Sequence, residues 1–208
     1  MAPKKKFTRE EMVNAALRVV RIKGMDALTA KALAEELGTS TQPVFTCFNT
    51  MDTVKKEVRA AAERVYDGYA AEGLRQEIPF LGFGTQYIRF AREEPELYRL
   101  LFLATTADGN SGALEAMKHS QAIIRPSLEQ IYQISAEDAD RYFRDLWLVV
   151  HSLAALIVTG GCPYSDAEIS QILTGFSIST CKAIKEIPGF TAGTFDRDAI
   201  FRSLVEKQ

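Results

Sequence analysis

The sequence predicts an all-α protein, with three short helices in an N-terminal head and several longer helices in the body behind them. Apolar residues recur every three or four positions along most of the chain, and helix-capping residues, glycines and prolines separate these stretches. No segment shows the alternating pattern of a β-strand. The 208 residues are 47% hydrophobic and 25% charged, which is the composition of an ordinary globular protein and excludes disordered or low-complexity chains.

The first helix is predicted over residues 8–23. Its apolar positions follow the spacing of an amphipathic helix, and Thr8 with Glu11 three residues later forms a capping box. Gly24 is expected to end this helix in a left-handed conformation, which glycine adopts without strain.

Two shorter helices follow. Thr29 is expected to cap the second helix, which ends at Gly38 in another left-handed stop. Ser40 is expected to cap the third helix, which carries Pro43 in its first turn and extends to Phe48.

A fourth helix, over about residues 51–70, is expected to connect the head to the body. The predicted domains are therefore residues 1–52 for the head and 71–208 for the body. Helices in the body are predicted roughly at 80–92, 95–105, 112–131, 136–158 and 166–187, with a short one at 196–206.

Charge is distributed unevenly along the chain. Residues 1–59 contain 11 Lys and Arg against 7 Asp and Glu, whereas residues 60–208 contain 14 against 20. A basic head on an acidic body points to nucleic acid as a partner of the head.

The second and third helices are spaced as a helix-turn-helix, in which the second of the two helices enters the major groove of DNA. Ser40, Thr41, Gln42 and Thr46 are the polar positions that face outward. Glutamine can bond both the N6 and N7 positions of adenine, so this helix has the chemistry to read bases. The alternative is an αα-hairpin inside a helical bundle.

Residues 7–58 resemble the DNA-binding head of the TetR family of bacterial transcription regulators. The matching runs are TAKALAEELG from Thr29 and STQPVFTCF from Ser40, in which a short helix ending in glycine precedes a recognition helix with aromatic residues near its end. The resemblance implies a double-stranded DNA operator as partner. The residues expected to contact it are Thr29, Lys31, Ser40, Thr41, Gln42, Phe45, Thr46 and Lys55, with Lys4, Lys5 and Lys6 on an N-terminal arm.

The head departs from the family at two positions. Family members usually carry Tyr at the position of Phe45 and Lys at the position of Met51, and both side chains are expected to contact phosphates. The compensating positive charge is expected from Lys4, Lys5 and Lys6 together with Lys31, Lys55 and Lys56. The alternative is that the run from Lys4 to Lys6 is only a solvated tail.

The body resembles the ligand-binding and dimerisation domain of the same family, and most closely the subgroup with a Trp and a His-Gly pair in its eighth helix. Trp147 and His151 occupy those positions, with Ser152 in place of the glycine. The resemblance implies a homodimer formed through helices 136–158 and 166–187, and a ligand cavity. The residues expected to wall the cavity are Phe83, Tyr87, Phe90, Phe102, Trp147 and His151; the alternative is that these rings are plain core and His151 is a hydrogen-bonded core residue.

Several functional classes lack support in the sequence. His119 and His151 lie in separate helices without a nucleophile motif, so no enzyme activity and no cofactor are expected. The three cysteines are spaced 115 and 19 residues apart, which fits neither a metal site nor a disulfide framework. The longest apolar run is shorter than a membrane span and the N-terminus lacks the apolar segment of a secretory signal, so we expect a cytoplasmic protein without a membrane partner.

These observations lead to one main hypothesis and two alternatives. The main hypothesis is a dimeric transcription regulator, a repressor, that binds a palindromic operator and is released by an unknown small-molecule effector through a population shift. The first alternative is an all-helical module that binds a small molecule or a protein and has lost DNA binding. The second is a helical enzyme, for which the sequence names no substrate.

Overall fold

The computed structural model describes residues 7–104 and 112–205, and within these residues it contains ten α-helices and no β-strand. The predicted all-α fold is confirmed. The helices are α1 (Arg9–Lys23), α2 (Ala30–Leu37), α3 (Gln42–Phe48), α4 (Met51–Leu74), α5 (Pro79–Glu93), α6 (Pro95–Tyr98), α7 (Gly112–Tyr132), α8 (Ala136–Val158), α9 (Asp166–Glu186) and α10 (Arg197–Val205).

The starts of the first two helices and the end of the second follow the predicted local signals. Thr8 and Glu11 form the capping box of α1, in which the Thr8 hydroxyl accepts from the Glu11 amide and the Glu11 carboxylate accepts from the Thr8 amide. Thr29 caps α2, and Gly38 ends it in the left-handed conformation. Gly24 ends α1, but the predicted left-handed conformation is wrong: φ is 79° and ψ is 169°, an extended region with positive φ that is essentially restricted to glycine.

The start of α3 differs from the prediction that Ser40 caps it. Thr41 precedes the helix with φ −72° and ψ −17°, and no side chain caps the first turn. Ser40 directly precedes this helical residue, but its hydroxyl makes no hydrogen bond in the described part of the chain, so the predicted cap is not formed. Pro43 lies in the first turn as predicted, where its missing amide hydrogen leaves no broken bond.

The helix predicted over residues 95–105 is interrupted. It is α-helical only over Pro95–Tyr98 and continues as a π-helix over Arg99–Leu103, while residue 105 lies outside the described ranges. The side chain of Arg59 in α4 donates to the main-chain carbonyl oxygen of Leu100 at 2.9 Å, so α4 supports the widened turn directly. No pattern of apolar residues distinguishes such a turn from an α-helix, which explains the error.

The head and the body share one continuous hydrophobic core, because α4 packs against both α1 and α5 and α1 also contacts α6. Helices α4 and α5 approach closely at Gly73 and Gly82, where a Cβ on Gly73 would lie 2.7 Å from the Gly82 main chain. An ion pair between Arg21 and Glu94 joins α1 to the start of α6. Within the described ranges, no helix is long and apolar enough to cross a bilayer.

Candidate functional site

The α2–α3 pair presents a polar face that is fixed from behind by buried side chains. Leu33, Val44 and Phe48 are buried in the core beneath the two helices. The residues predicted to contact DNA are exposed wherever the structure describes them: Thr29, Lys31, Ser40, Thr41, Gln42, Phe45, Thr46 and Lys55. Lys4, Lys5 and Lys6 lie outside the described residues.

The hydrogen-bonding groups on this face are unequally available. Gln42 and Thr41 make no side-chain hydrogen bond in the described part of the chain, so the donor and acceptor of the Gln42 amide are both free. Thr46 donates its hydroxyl to the Gln42 carbonyl oxygen at 2.9 Å, which leaves its oxygen only as an acceptor. The Thr29 hydroxyl accepts from the Ala32 amide and so keeps its own hydrogen for another partner.

The two positions that depart from the TetR pattern have different environments. Phe45 projects from α3 with 45% of its surface exposed, although it is a large apolar residue. Met51 is half-buried and packs against the core at the start of α4. The exposed charge beside this region comes instead from Lys55 and Lys56.

Arg9 of α1 contacts both α3 and α4 and so fixes the position of α3 relative to α1 and α4. Its guanidinium group donates to the carbonyl oxygen of Cys47 at 2.8 Å and to the carboxylate of Glu57 at 2.8 Å. It also lies over the Phe48 ring at 4.5 Å from the centroid. Arg9 was not predicted, because its partners lie 38 or more residues away along the chain.

A polar cluster centred on His151 lies inside the body. The hydroxyl groups of Tyr87 and Tyr98 lie 3.1 Å and 2.9 Å from His151 Nδ1, and the two hydroxyls are 3.5 Å apart. The Trp147 ring stacks on the imidazole at 4.6 Å with an interplanar angle of 7°. We call these four residues, from α5, α6 and α8, the His151 cluster.

The remaining predicted cavity residues are packed rings. Phe90 and Phe102 lie 5.4 Å and 5.2 Å from the Tyr66 ring, and Phe102 also contacts the imidazole of His151 at 6.4 Å. Phe83 contacts Phe143 one turn away from the cluster. Two members of this region were missed by the sequence reasoning: Tyr98 in the cluster, and Tyr66, whose hydroxyl bonds the buried Ser120 hydroxyl at 2.7 Å.

A cavity of about 120 Å³ adjoins these rings between α4, the π-helix and α7. Phe102 and Tyr66 form part of its wall, so it touches the predicted ligand region at its edge. Its polar lining residues are Arg59, Glu63, Glu115 and His119. The other predicted residues do not line this cavity, because their rings contact one another.

The His151 cluster is electrically neutral. Burial lowers the pKa of His151, which favours the uncharged imidazole, and burial raises the pKa values of Tyr87 and Tyr98. Trp147 is 3% exposed, and its indole N–H has no hydrogen-bond partner in the described part of the chain. Among all residues that the structure describes, no group of three or more His, Cys, Asp or Glu side chains could hold a metal ion.

An exposed apolar surface runs along α8 and α9. Leu148, Leu156, Phe176 and Ile178 expose large apolar side chains there, although most of the apolar residues of both helices face the core or its edge. Leu148, Leu156 and Phe176 line a shallow groove together with Tyr164. A surface of this kind is typical of a protein–protein interface.

The comparison with known proteins identifies the body. Residues 80–174, which span α5 to the first part of α9, match the family model described as the tetracyclin repressor-like C-terminal domain. No curated protein matches the chain. Residues 80–174 of the body are thus similar to a tetracyclin repressor-like C-terminal domain, and this match does not include the α2–α3 pair of the head.

Proposed function

We propose that the chain is a dimeric transcription repressor that binds a palindromic DNA operator through α2 and α3 and is released by a small molecule bound in the body. The observation that carries the proposal is the exposed face of α3, where Gln42 offers a free amide on a helix held firmly from behind. Asparagine or glutamine in a recognition helix is the standard reader of adenine.

The dimer supports recognition geometrically. Pairing of the apolar surfaces of α8 and α9 across a two-fold axis would bury the exposed side chains of Leu148, Leu156 and Phe176. Two recognition helices related by that axis would read half-sites about 34 to 36 Å apart. An inverted repeat is therefore the expected operator.

Two routes connect the ligand region to the head. Tyr98 reaches from α6 to His151, and the same segment is bound to α1 through the ion pair of Arg21 with Glu94. Arg59 links the π-helix to α4, the helix that leads directly from the head. A ligand that displaces Tyr98 or Phe102 would therefore act on both α1 and α4, and its different affinity for the two states would shift the population.

The test is selection of bound duplexes from a random DNA pool by the full-length protein at near-physiological salt. Enrichment of an inverted repeat is the expected result. The Gln42 side chain lies on the surface, so Gln42→Ala is a test variant that should fold normally. It should lose the base preference at one position of each half-site. A folded dimer that enriches no sequence would contradict the proposal.

The second candidate is an all-helical module that binds a small molecule or a protein and does not bind DNA. It is favoured by Phe45 and Met51, which replace two side chains able to bond phosphates. Salt dependence separates the two functions, because phosphate neutralisation gives a slope of about −0.9 in log affinity against log salt for each contact. A duplex affinity that does not change with salt would support this second candidate.

A further inference from the structure

We propose that the C-terminal helix α10 is an arm that packs on a second copy of this chain, beside the turn that joins α8 to α9 in the partner subunit. The arm rests on the dimer of the proposed function and adds a second contact surface to it. Each subunit would both extend an arm and receive one, as a two-fold contact requires.

The C-terminal segment is rich in apolar residues that its own subunit does not bury. Residues 187–205 contain seven large apolar side chains: Ile187, Phe190, Phe195, Ile200, Phe201, Leu204 and Val205. None of the seven is part of the hydrophobic core that the structure describes. Phe201, Leu204 and Val205 are 61%, 64% and 73% exposed, and α10 contains no buried residue. A concentration of exposed apolar surface is typical of a segment that packs on another molecule.

Helix α10 is too short to be stable without packing. It has nine residues, whereas an isolated helix in water needs about 12 to 15. Its first turn is capped by Asp196, whose carboxylate accepts from the Ala199 amide at 2.9 Å. Phe201, Leu204 and Val205 are spaced to lie on one side of the helix. This apolar side is therefore the surface through which packing would stabilise α10.

The start of the C-terminal segment is fixed at one end of the α8–α9 pair. Arg141 of α8 donates to the main-chain carbonyl oxygen of Thr191 at 2.6 Å, and the Thr191 hydroxyl bonds the Asp138 carboxylate. The Arg141 guanidinium group also lies over the Phe190 ring at 5.0 Å from the centroid. The turn between α8 and α9, residues 159–165, lies at the other end of the pair. The arm therefore begins at a fixed point remote from the turn of its own subunit.

A two-fold contact brings that fixed point close to the turn of the partner. Ser152 lies in the middle of the part of α8 that lines the apolar groove. Arg141 precedes Ser152 by 11 residues, about 16 Å along a helix, and the turn begins seven residues after Ser152, about 10 Å along it. An axis near Ser152 and perpendicular to α8 reverses the pair, so the start of one arm lies at about the level of the partner's turn.

The connection to α10 is long enough to cross the interface. Five residues, 192–196, lie between Thr191 and the helix, and an extended chain of five residues spans up to about 17 Å. Packed helices lie about 8 to 10 Å apart. Helix α10 can therefore reach the partner while Thr191 stays bonded to its own α8.

The start of α9, next to the turn, carries an excess of negative charge. Asp166 and Glu168 lie in its first turn, and Asp166 is paired with Arg92. Arg99, which bonds the end of α8, is paired with Glu96. Glu168 has no cationic partner in the described part of the chain, so one negative charge remains at this end of the groove.

The last turn of α10 carries the opposite charge. Arg202 is exposed there and forms no ion pair with any residue that the structure describes. The acidic residues Asp196 and Asp198 lie at the first turn, where Arg197 is paired with Asp198. The apolar side of α10 thus ends beside a free positive charge, which complements the free carboxylate at the start of α9. Charge and reach together favour a second copy of this chain as the occupant.

The test cross-links two differently substituted full-length subunits. Both carry Cys162→Ala, because Cys162 is a free thiol in the turn itself. One subunit adds Leu204→Cys, and the other, which carries an affinity tag, adds Tyr164→Cys at an exposed position of the groove. The two are co-expressed and treated with bismaleimidoethane, which joins neighbouring thiols. We expect a covalent heterodimer on a denaturing gel.

Two controls define the background. Ser203→Cys places the thiol on the other side of α10 and should give at least fivefold less heterodimer than Leu204→Cys. Leu204→Cys combined with a tagged subunit that lacks Tyr164→Cys reports cross-links to Cys47 and Cys181, which should be equally low.

A second measurement needs no cross-linker. Phe201→Ser combined with Leu204→Ser should raise the dimer dissociation constant about tenfold or more in analytical ultracentrifugation, because the dimer no longer buries two apolar side chains. Ile22→Ser combined with Leu114→Ser removes two exposed apolar side chains outside the arm and should leave the constant unchanged.

Equal yields from Leu204→Cys and Ser203→Cys overturn the proposal. An internal cross-link in one chain that carries both Leu204→Cys and Tyr164→Cys, without heterodimer, would show that α10 covers its own subunit. A dimer that forms no cross-link and keeps its affinity after the serine substitutions shows that α10 does not pack on the partner, while the proposed dimer stands. Sedimentation of the unsubstituted protein as a monomer overturns the arm and the proposed dimer together, and duplex selection tests DNA recognition separately.

Discussion

The head and the body of this protein build their candidate sites in opposite ways. Except for Lys55, the described residues of the head that we expect to contact DNA lie within one stretch, 29–46, and their side chains are exposed. The His151 cluster combines residues 87, 98, 147 and 151 from three helices, and its hydroxyl and imidazole groups bond one another inside the protein. A substitution in a contiguous exposed site is expected to change function and leave the stability of the fold unchanged. A substitution in a buried site built from several helices is expected to change both.

The largest expected effect comes from the apolar surface of α8 and α9, which we proposed as the dimer interface. Phe176→Arg places a charge in the middle of the apolar surface of α8 and α9, and a buried unpaired charge is strongly unfavourable. We expect loss of the dimer in analytical ultracentrifugation and a fall of about 10² to 10⁴ in operator affinity, because two linked half-sites are lost as a unit.

Leu114→Arg is the matched control, since Leu114 is an equally exposed apolar residue on α7. It should stay dimeric and bind the operator normally. If the Leu114 variant dissociates as readily as the Phe176 variant, the interface does not lie on α8 and α9.

The next largest effect is expected from a substitution on the exposed face of the head. Gln42→Ala should cost about 1 to 3 kcal/mol of operator affinity at the matched base pair, the usual value of a bidentate contact to a base. Because the side chain is exposed and makes no bond within the protein, the thermal unfolding midpoint should stay unchanged. Competition binding with single-base operator variants is the measurement, and an unchanged preference at every position would remove Gln42 from the reading face.

A smaller effect distinguishes positioning from charge within the head. Arg9→Met removes the contacts to Cys47 and Glu57 that orient α3, so operator affinity should fall several-fold with little change in its salt dependence. Lys55→Met should instead lower the salt slope by about 0.9 and preserve base preference. Titration of both variants at three salt concentrations separates the roles, and a salt slope reduced equally in both would make Arg9 a phosphate contact.

The same contrast explains what the sequence could predict. Caps such as Thr8 and Thr29 act within four residues, so the helices of the head were predicted nearly to the residue. The predicted Ser40 cap is not formed, because a serine before a helix can cap it but its presence does not fix the rotamer that would do so. In the body, the sequence named His151 and Trp147 by family resemblance but not Tyr98, whose role depends on contacts across 53 residues.

The smallest predicted effect concerns the stability of the buried site. Burial lowers the pKa of His151 in the folded protein below its unfolded value near 6.5, so the unfolded state binds more protons in that range. Stability should therefore be greatest above about pH 6.5 and fall as the pH drops through the unfolded pKa. Unfolding midpoints of the wild type should fall between about pH 7.5 and about pH 5.5 by more than those of His151→Asn, which keeps an acceptor near both tyrosine hydroxyls. An equal fall in the wild type and His151→Asn would show that His151 does not titrate as a buried group.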